Sequence, residues 1–279
     1  MAIGRSCRLR NERVISIGIA AVFAILLAYG LATYLRRTGM FFPDRYPNGN
    51  WDTSRFPIAP EEVTFPSKDG TKLHGWLIRS PRAGAPLMIY FHGNAGNLTD
   101  RAPVSEEFAR RGIMSVLLFD WRGYGKSEGN PGEEKLHDDA IAAYEFAIRI
   151  NPDNVIYGES LGGPYAAFAA KHRKPRCVII DSSFPSLLAF GNAHYFPLGY
   201  FAPRAWRTAD WLNAAGAPVL VMHGKRDSVA PFKLGVMLFN ELRVPKQFLG
   251  CDAAEHCEIE SIEPQRYYDT IAKFVEEHP

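Results

Sequence analysis

From residue 61 onward, short apolar runs alternate with helical patterns, and this alternation constrains the fold more than any other feature of the chain. The runs fall at residues 62–66, 73–79, 87–91, 115–119, 155–157, 178–180 and 219–222. The later ones are apolar at nearly every position, as strands buried on both faces are; a half-exposed strand would alternate instead. Helical patterns occupy 104–111, 135–149, 161–172, 232–242 and 265–277, several with acidic starts and basic ends that suit the helix dipole. Strand and helix in alternation predict an α/β domain over 61–279: a mostly parallel central sheet of about eight strands with helices on both faces. A chain of 279 residues, 47% hydrophobic, can bury one such core. No repeat competes with this assignment.

The charge balance excludes one class of partner. A formal net charge of +2 and the lack of a Lys/Arg block leave no nucleic-acid surface. Cys7, Cys177, Cys251 and Cys257 have neither zinc-site spacing nor the density of a disulfide scaffold. Residues 14–35 carry no charged side chain, and as a helix they would reach about 33 Å, enough to cross a ~30 Å hydrocarbon core. The expectation is a short tail (1–13), an uncleaved transmembrane anchor (14–35) and a Pro- and Asn-rich connecting segment (36–60). A cleaved signal peptide has a shorter apolar region and a small-residue cleavage site, which this stretch lacks. The excess of Arg before the span (Arg5, Arg8, Arg10, Arg13) over Arg36 and Arg37 after it puts the large domain outside the cytoplasm, with Cys7 juxtamembrane.

Gly158-Glu159-Ser160-Leu161-Gly162 fits G-x-S-x-G between an apolar run and a helical pattern. That strand, turn, helix context lifts a serine above a sheet on a bend too tight for bulky neighbours. A serine hydroxyl is a poor nucleophile, so a base and an orienting acid should follow in the order Ser, Asp or Glu, His. Asp227 follows the run at 219–222, and His256 lies in the loop before the last helical pattern. Asp227 can also be read as a turn residue, and Asp181, at the end of the run at 178–180, is the reserve acid. Asp252 stands too near His256 in sequence to be preferred. The loop His92-Gly93-Asn94-Ala95-Gly96-Asn97 supplies small residues after an earlier strand. The N–H groups of Asn94 and Leu161 are the candidates for holding a carbonyl oxygen as it gains charge, with Ala95 the alternative to Asn94. His92 is assigned to fixing this loop by hydrogen bonds. Asn97-Leu98-Thr99 matches a glycosylation sequon, but a glycan would crowd the site, so the match is read as chance.

Through HGNAGN, DWRGYGKSEG, GESLGG, HGKRD and the late histidine, which together span most of the chain after residue 60, the sequence resembles the α/β-hydrolase superfamily. Within it, the resemblance is to the small, membrane-anchored, bud-emergence-protein-like hydrolases. This resemblance implies a serine hydrolase, and in some relatives one that removes fatty acyl groups from proteins. It also implies that Asp120-Trp121-Arg122-Gly123-Tyr124-Gly125 shapes the sheet edge. The sequence departs from the pattern at Cys257, where relatives often carry a polar residue, leaving open a disulfide or redox effect between Cys251 and Cys257 against two free thiols.

Residues 184–211, dense in aromatics from Phe184 to Trp211, sit where this fold carries a lid and are too few for a cap domain. They offer an apolar wall for an acyl chain or a bilayer, or simply pack one short helix on the body. The expected activity is hydrolysis of carboxylic esters or thioesters through an acyl-enzyme on Ser160, with no metal or organic cofactor. Ser160 argues against carboxylate-nucleophile chemistry such as haloalkane or epoxide hydrolysis. The alternatives are amide or aminopeptidase cleavage by the same residues and a non-catalytic, membrane-tethered binding protein.

Overall fold

The computed structural model describes residues 15–30, 41–201 and 206–279. Residues 15–30 form helix α1, exposed along its length. The elements that follow are β1 (Phe42–Pro43), β2 (Glu61–Pro66), β3 (Lys72–Ile78), β4 (Leu87–Phe91), β5 (Ala95–Gly96), α2 (Ala102–Arg110), β6 (Ser115–Phe119) and α3 (Glu133–Ile150). Then come β7 (Asn154–Glu159), α4 (Gly162–His172), β8 (Cys177–Asp181), α5 (Leu187–Tyr195) and α6 (Thr208–Ala215). The chain closes with β9 (Val219–Gly224), α7 (Phe232–Glu241), β10 (Lys246–Cys251), α8 (Ile259–Ile262) and α9 (Pro264–Glu276).

Eight strands form one sheet in the order β10-β9-β8-β7-β4-β6-β3-β2. The pairs β2–β3 and β3–β6 are antiparallel and the rest parallel. Alternate residues of each central strand feed two cores. Leu87, Ile89 and Phe91 of β4 and Ile156 of β7 face a cluster completed by α3, α4, α6 and α7. Met88, Tyr90, Val155 and Tyr157 face the cluster completed by α2 and α9. Every residue of β4, β7, β8 and β9 is buried, and each such Leu, Ile, Val or Phe contributes about 1.5–3 kcal/mol of transfer free energy. A sheet covered on both sides explains the unbroken apolar runs in the sequence.

The segment before β2 packs on this body. β1 pairs with β5, Asn97 Nδ2 donates to the carbonyls of Asp44 and Asn48, and Trp51 lies edge-on to the buried Trp76. In the aromatic stretch after β8, Phe184 and Trp206 are buried, whereas Tyr195, Phe196 and Tyr200 are exposed.

The expected membrane span is overturned: among the described residues no helix is long and apolar enough to cross a membrane. Val14 and residues 31–35 of the expected span lie outside the described residues, as do the tail 1–13 with Cys7, and Arg36 and Arg37. The single-pass placement with the large domain outside the cytoplasm rested on that span and is withdrawn with it.

Candidate active site

The parallel strands end on one edge of the sheet, and the loops leaving β4, β7, β8, β9 and β10 meet there. β7 ends at Glu159, and Ser160 occupies the sharp bend before α4 with φ of 50°. A positive φ is costly for a residue with a Cβ, and here the surroundings hold it. Ser160 N–H donates to Asp181 O at 2.8 Å, and Ser160 O accepts from Ser183 Oγ at 2.8 Å and from Gly163 N at 3.0 Å. The flanking glycines are required by contact. A Cβ on Gly158 would lie 2.6 Å from that of Ala166, and one on Gly162 would run into the Phe91 carbonyl.

His256 comes from the loop after β10. Its Nε2 lies 2.9 Å from Ser160 Oγ and its Nδ1 lies 2.7 Å from Asp227 Oδ2. Asp227 therefore fixes the tautomer: Nδ1–H donates to the carboxylate, and Nε2 is left to accept from the serine hydroxyl. Asp227 Oδ1 accepts from the N–H groups of Val229 at 2.9 Å and Ala230 at 2.7 Å. Burial pushes this carboxyl upward, but hydrogen bonds from His223 and His256 and the Ala230 N–H outweigh it, holding the group at about 2. The charged carboxylate is thus the stable form beside the imidazole. Gly224, at the end of β9, lets the Asp227 turn approach the chain before His256, since a Cβ there would meet the carbonyls of Ala254 and Glu255.

Asp181 ends β8, next door to β9, and does not reach the histidine. Its Oδ2 accepts from Tyr157 Oη at 2.6 Å and its Oδ1 from Ser182 Oγ at 3.0 Å. Burial raises it to about 6 despite these bonds. Ser182 Oγ also accepts from Cys257 N–H at 3.1 Å, so Asp181 braces the turn after His256 rather than its ring. Cys177, Cys251 and Cys257 are free thiols, and Cys251 Sγ donates to Glu263.

The loop after β4 is held from several sides. His92 Nδ1 donates to Gly93 O at 2.8 Å, and because a trans peptide points its C=O and N–H in opposite directions, this sets where the Asn94 N–H points. Tyr124 Oη donates to Asn94 O at 2.8 Å. Beneath the ring, His92 Nε2 stands 3.6 Å from Asp120 Oδ1. Burial lowers His92 to about 3 and raises Asp120 to about 8, so both are neutral near pH 7. Arg122, from the same turn as Asp120, is buried against Asp139 at 2.6 Å and ties that turn to α3.

Three residues at the site were not singled out from the sequence. His223 Nε2 contacts Ala230 O at 2.6 Å and Asp227 Oδ2 at 3.3 Å, backing the acid from β9. Glu159, the variable residue before the serine, is buried against Arg101 at 2.7 Å. A carboxylate closing an all-buried strand signals a paired cation. Among the described residues no group of three or more His, Cys, Asp or Glu side chains is arranged to hold a metal ion.

Comparison with known proteins agrees with this architecture. Residues 83–184 match the family described as "Serine aminopeptidase, S33". The uncharacterized protein MT2364 of Mycobacterium tuberculosis is 31% identical over 95% of this chain and 97% of its own length. Protein bem46 of Schizosaccharomyces pombe is 27% identical over 94% of this chain and 92% of its own. Among solved structures, an esterase of Pyrococcus furiosus superposes with a TM-score of 0.70 at 21% identity, covering 86% of this chain and 99% of that one. The chain belongs to the α/β-hydrolase family, and its likeness within the family is to the bud-emergence-protein-like members.

Proposed function

We propose that this hydrolase cleaves carboxylic esters or thioesters through an acyl-enzyme on Ser160. The observation that carries the proposal is the hydrogen-bonded line from Ser160 Oγ through His256 to Asp227, 2.9 Å and 2.7 Å long. As Ser160 Oγ bonds to the substrate carbonyl carbon, His256 Nε2 takes its proton and Asp227 stabilises the imidazolium. The carbonyl π pair moves onto oxygen, facing the N–H groups of Asn94 and Leu161. Collapse re-forms the carbonyl and breaks the bond to the alcohol or thiol, which leaves with the proton from His256. Water then repeats the sequence on the acyl-enzyme and frees the carboxylic acid.

The acyl side of the substrate is assigned to the exposed aromatic wall of Tyr195, Phe196 and Tyr200. His194 Nε2 donates to Val229 O at 2.9 Å, tying α5 to the turn that carries Asp227 and bringing this wall beside the site. Amide cleavage is the second reading, favoured by the description of the matched family. Labelling by a fluorophosphonate that is abolished in Ser160→Ala supports the hydrolase, and absence of labelling in folded wild-type protein sinks it. A panel of p-nitrophenyl esters of graded chain length, acyl thioesters and aminoacyl amides then separates ester from amide turnover.

A further inference from the structure

We infer that Arg101 and Glu159 form a clamp that positions the oxyanion-binding loop against the nucleophile bend, an inference that rests on the proposed role of Ser160. The two residues lie 58 positions apart, one at the entry to α2 and the other immediately before Ser160. Arg101 donates from Nη2 to Glu159 Oε1 at 2.7 Å and from Nε to both carboxylate oxygens at 3.2 and 3.3 Å. Its remaining arm, Nη1, donates to Ala95 O at 2.9 Å. Glu159 Oε1 in turn accepts from Gly93 N–H at 3.3 Å, and Oε2 accepts from Tyr90 Oη at 2.7 Å. The pair thus grips the loop on both sides of Asn94, whose N–H the proposed function assigns to the carbonyl oxygen, while Glu159 is covalently joined to Ser160. The ion pair thereby links the nucleophile bend to the loop, alongside the bonds that His92 and Tyr124 make to it.

Two observations make this a positioning device rather than filler. A cavity of about 340 Å³ borders the pair, lined by Tyr90, Asp100, Arg101, Tyr157, Glu159 and Asp181, so on that side the two side chains are held by their hydrogen bonds rather than by close packing. Gly93 also has no room for a side chain: a Cβ would lie 2.7 Å from Glu159 Oε1 and 3.4 Å from Ser160 Cβ. The ionised form of Glu159 is strongly favoured, since its coulombic attraction to Arg101 overcomes burial and holds the carboxyl at about 2.

The test is the second-order rate of fluorophosphonate labelling. In that step the Ser160 Oγ–P bond forms, P–F breaks, fluoride leaves, and the serine proton passes to His256 while the phosphonyl oxygen occupies the oxyanion hole. Arg101→Lys keeps the charge but cannot hold Glu159 and Ala95 O together, and should label about ten- to a hundred-fold more slowly, with ester KM changed less than about threefold. Arg101→Met/Glu159→Met removes the buried charges as a pair, so its melting temperature should stay near that of wild type while labelling remains slow. Wild-type rates in Arg101→Lys, or recovery of the wild-type rate in the double variant, overturn the clamp. Failure of wild-type protein to label would instead refute the reading of Ser160.

Discussion

Asp181 and Asp227 end neighbouring strands of one sheet, yet their surroundings drive them in opposite directions. Asp227 sits in a turn whose N–H groups converge on one oxygen, with two imidazoles on the other, and is held at about 2. Asp181, equally buried, has two hydroxyl donors and Glu159 as a neighbour, and rises to about 6. Strand position alone makes both plausible partners for a histidine. What separates them is the supply of donors: the imidazoles of His223 and His256, joined by the backbone N–H groups of the loop after β9, converge on Asp227, whereas Asp181 has only two hydroxyls.

The comparison breaks most sharply on activity. Asp227→Asn should cost about 10⁴-fold in kcat, because the amide cannot fix the Nδ1–H tautomer or stabilise an imidazolium. Asp181→Asn should stay within about tenfold, measured on the same p-nitrophenyl ester. Equal losses would show that the two acids share the role.

The next effect lies in the pH dependence of stability. The folded value of Asp227 is depressed below the unfolded 3.8, so its contribution is present above about pH 4 and is lost as pH falls toward 2. That of Asp181 is raised, so its contribution is full below about pH 4 and is lost as pH rises through 6. Melting curves from pH 2.5 to 8 should therefore show Asp181→Asn gaining on wild type as pH rises and Asp227→Asn falling behind over the acid limb, each by a few degrees. Parallel shifts for both variants would contradict the assigned directions.

The smallest expected effect concerns the brace behind the histidine. Ser182→Ala cuts the link from Asp181 to the Cys257 N–H and should lower kcat by less than about threefold, with KM unchanged. A larger loss would give Asp181 an indirect part in placing His256.

Much of the frame could be read from the chain because doubly buried strands leave continuous apolar runs and because G-x-S-x-G marks a specific bend. The edge strand β10 left no apolar run in the sequence, since Lys246 is exposed and Gln247, Phe248 and Gly250 are only half-buried. Helices α5 and α6 were hidden in the aromatic stretch, where apolar residues on several faces blur a 3.6-residue period. Asp227 and His256 could be placed in order from the sequence, with Asp181 as the reserve acid; that His256 Nδ1 meets Asp227 while Asp181 is taken by Tyr157 and Ser182 is visible only once the strands are assembled. Arg101 carried no local mark, as its partner is distant and its neighbours read as an ordinary helix entry. The uncharged stretch at 14–35 shows the opposite error: its composition suggested a membrane span, and among the described residues no helix is long and apolar enough to be one.

The bend at Ser160 has a further consequence for how such a chain changes over generations. A left-handed conformation suits glycine better than serine, so Ser160→Gly would relieve local strain at the same stroke that removes the hydroxyl. If Ser160 is the nucleophile proposed above, selection for thermal robustness alone would drift toward an inert descendant, and only continued demand for the chemistry opposes that slide.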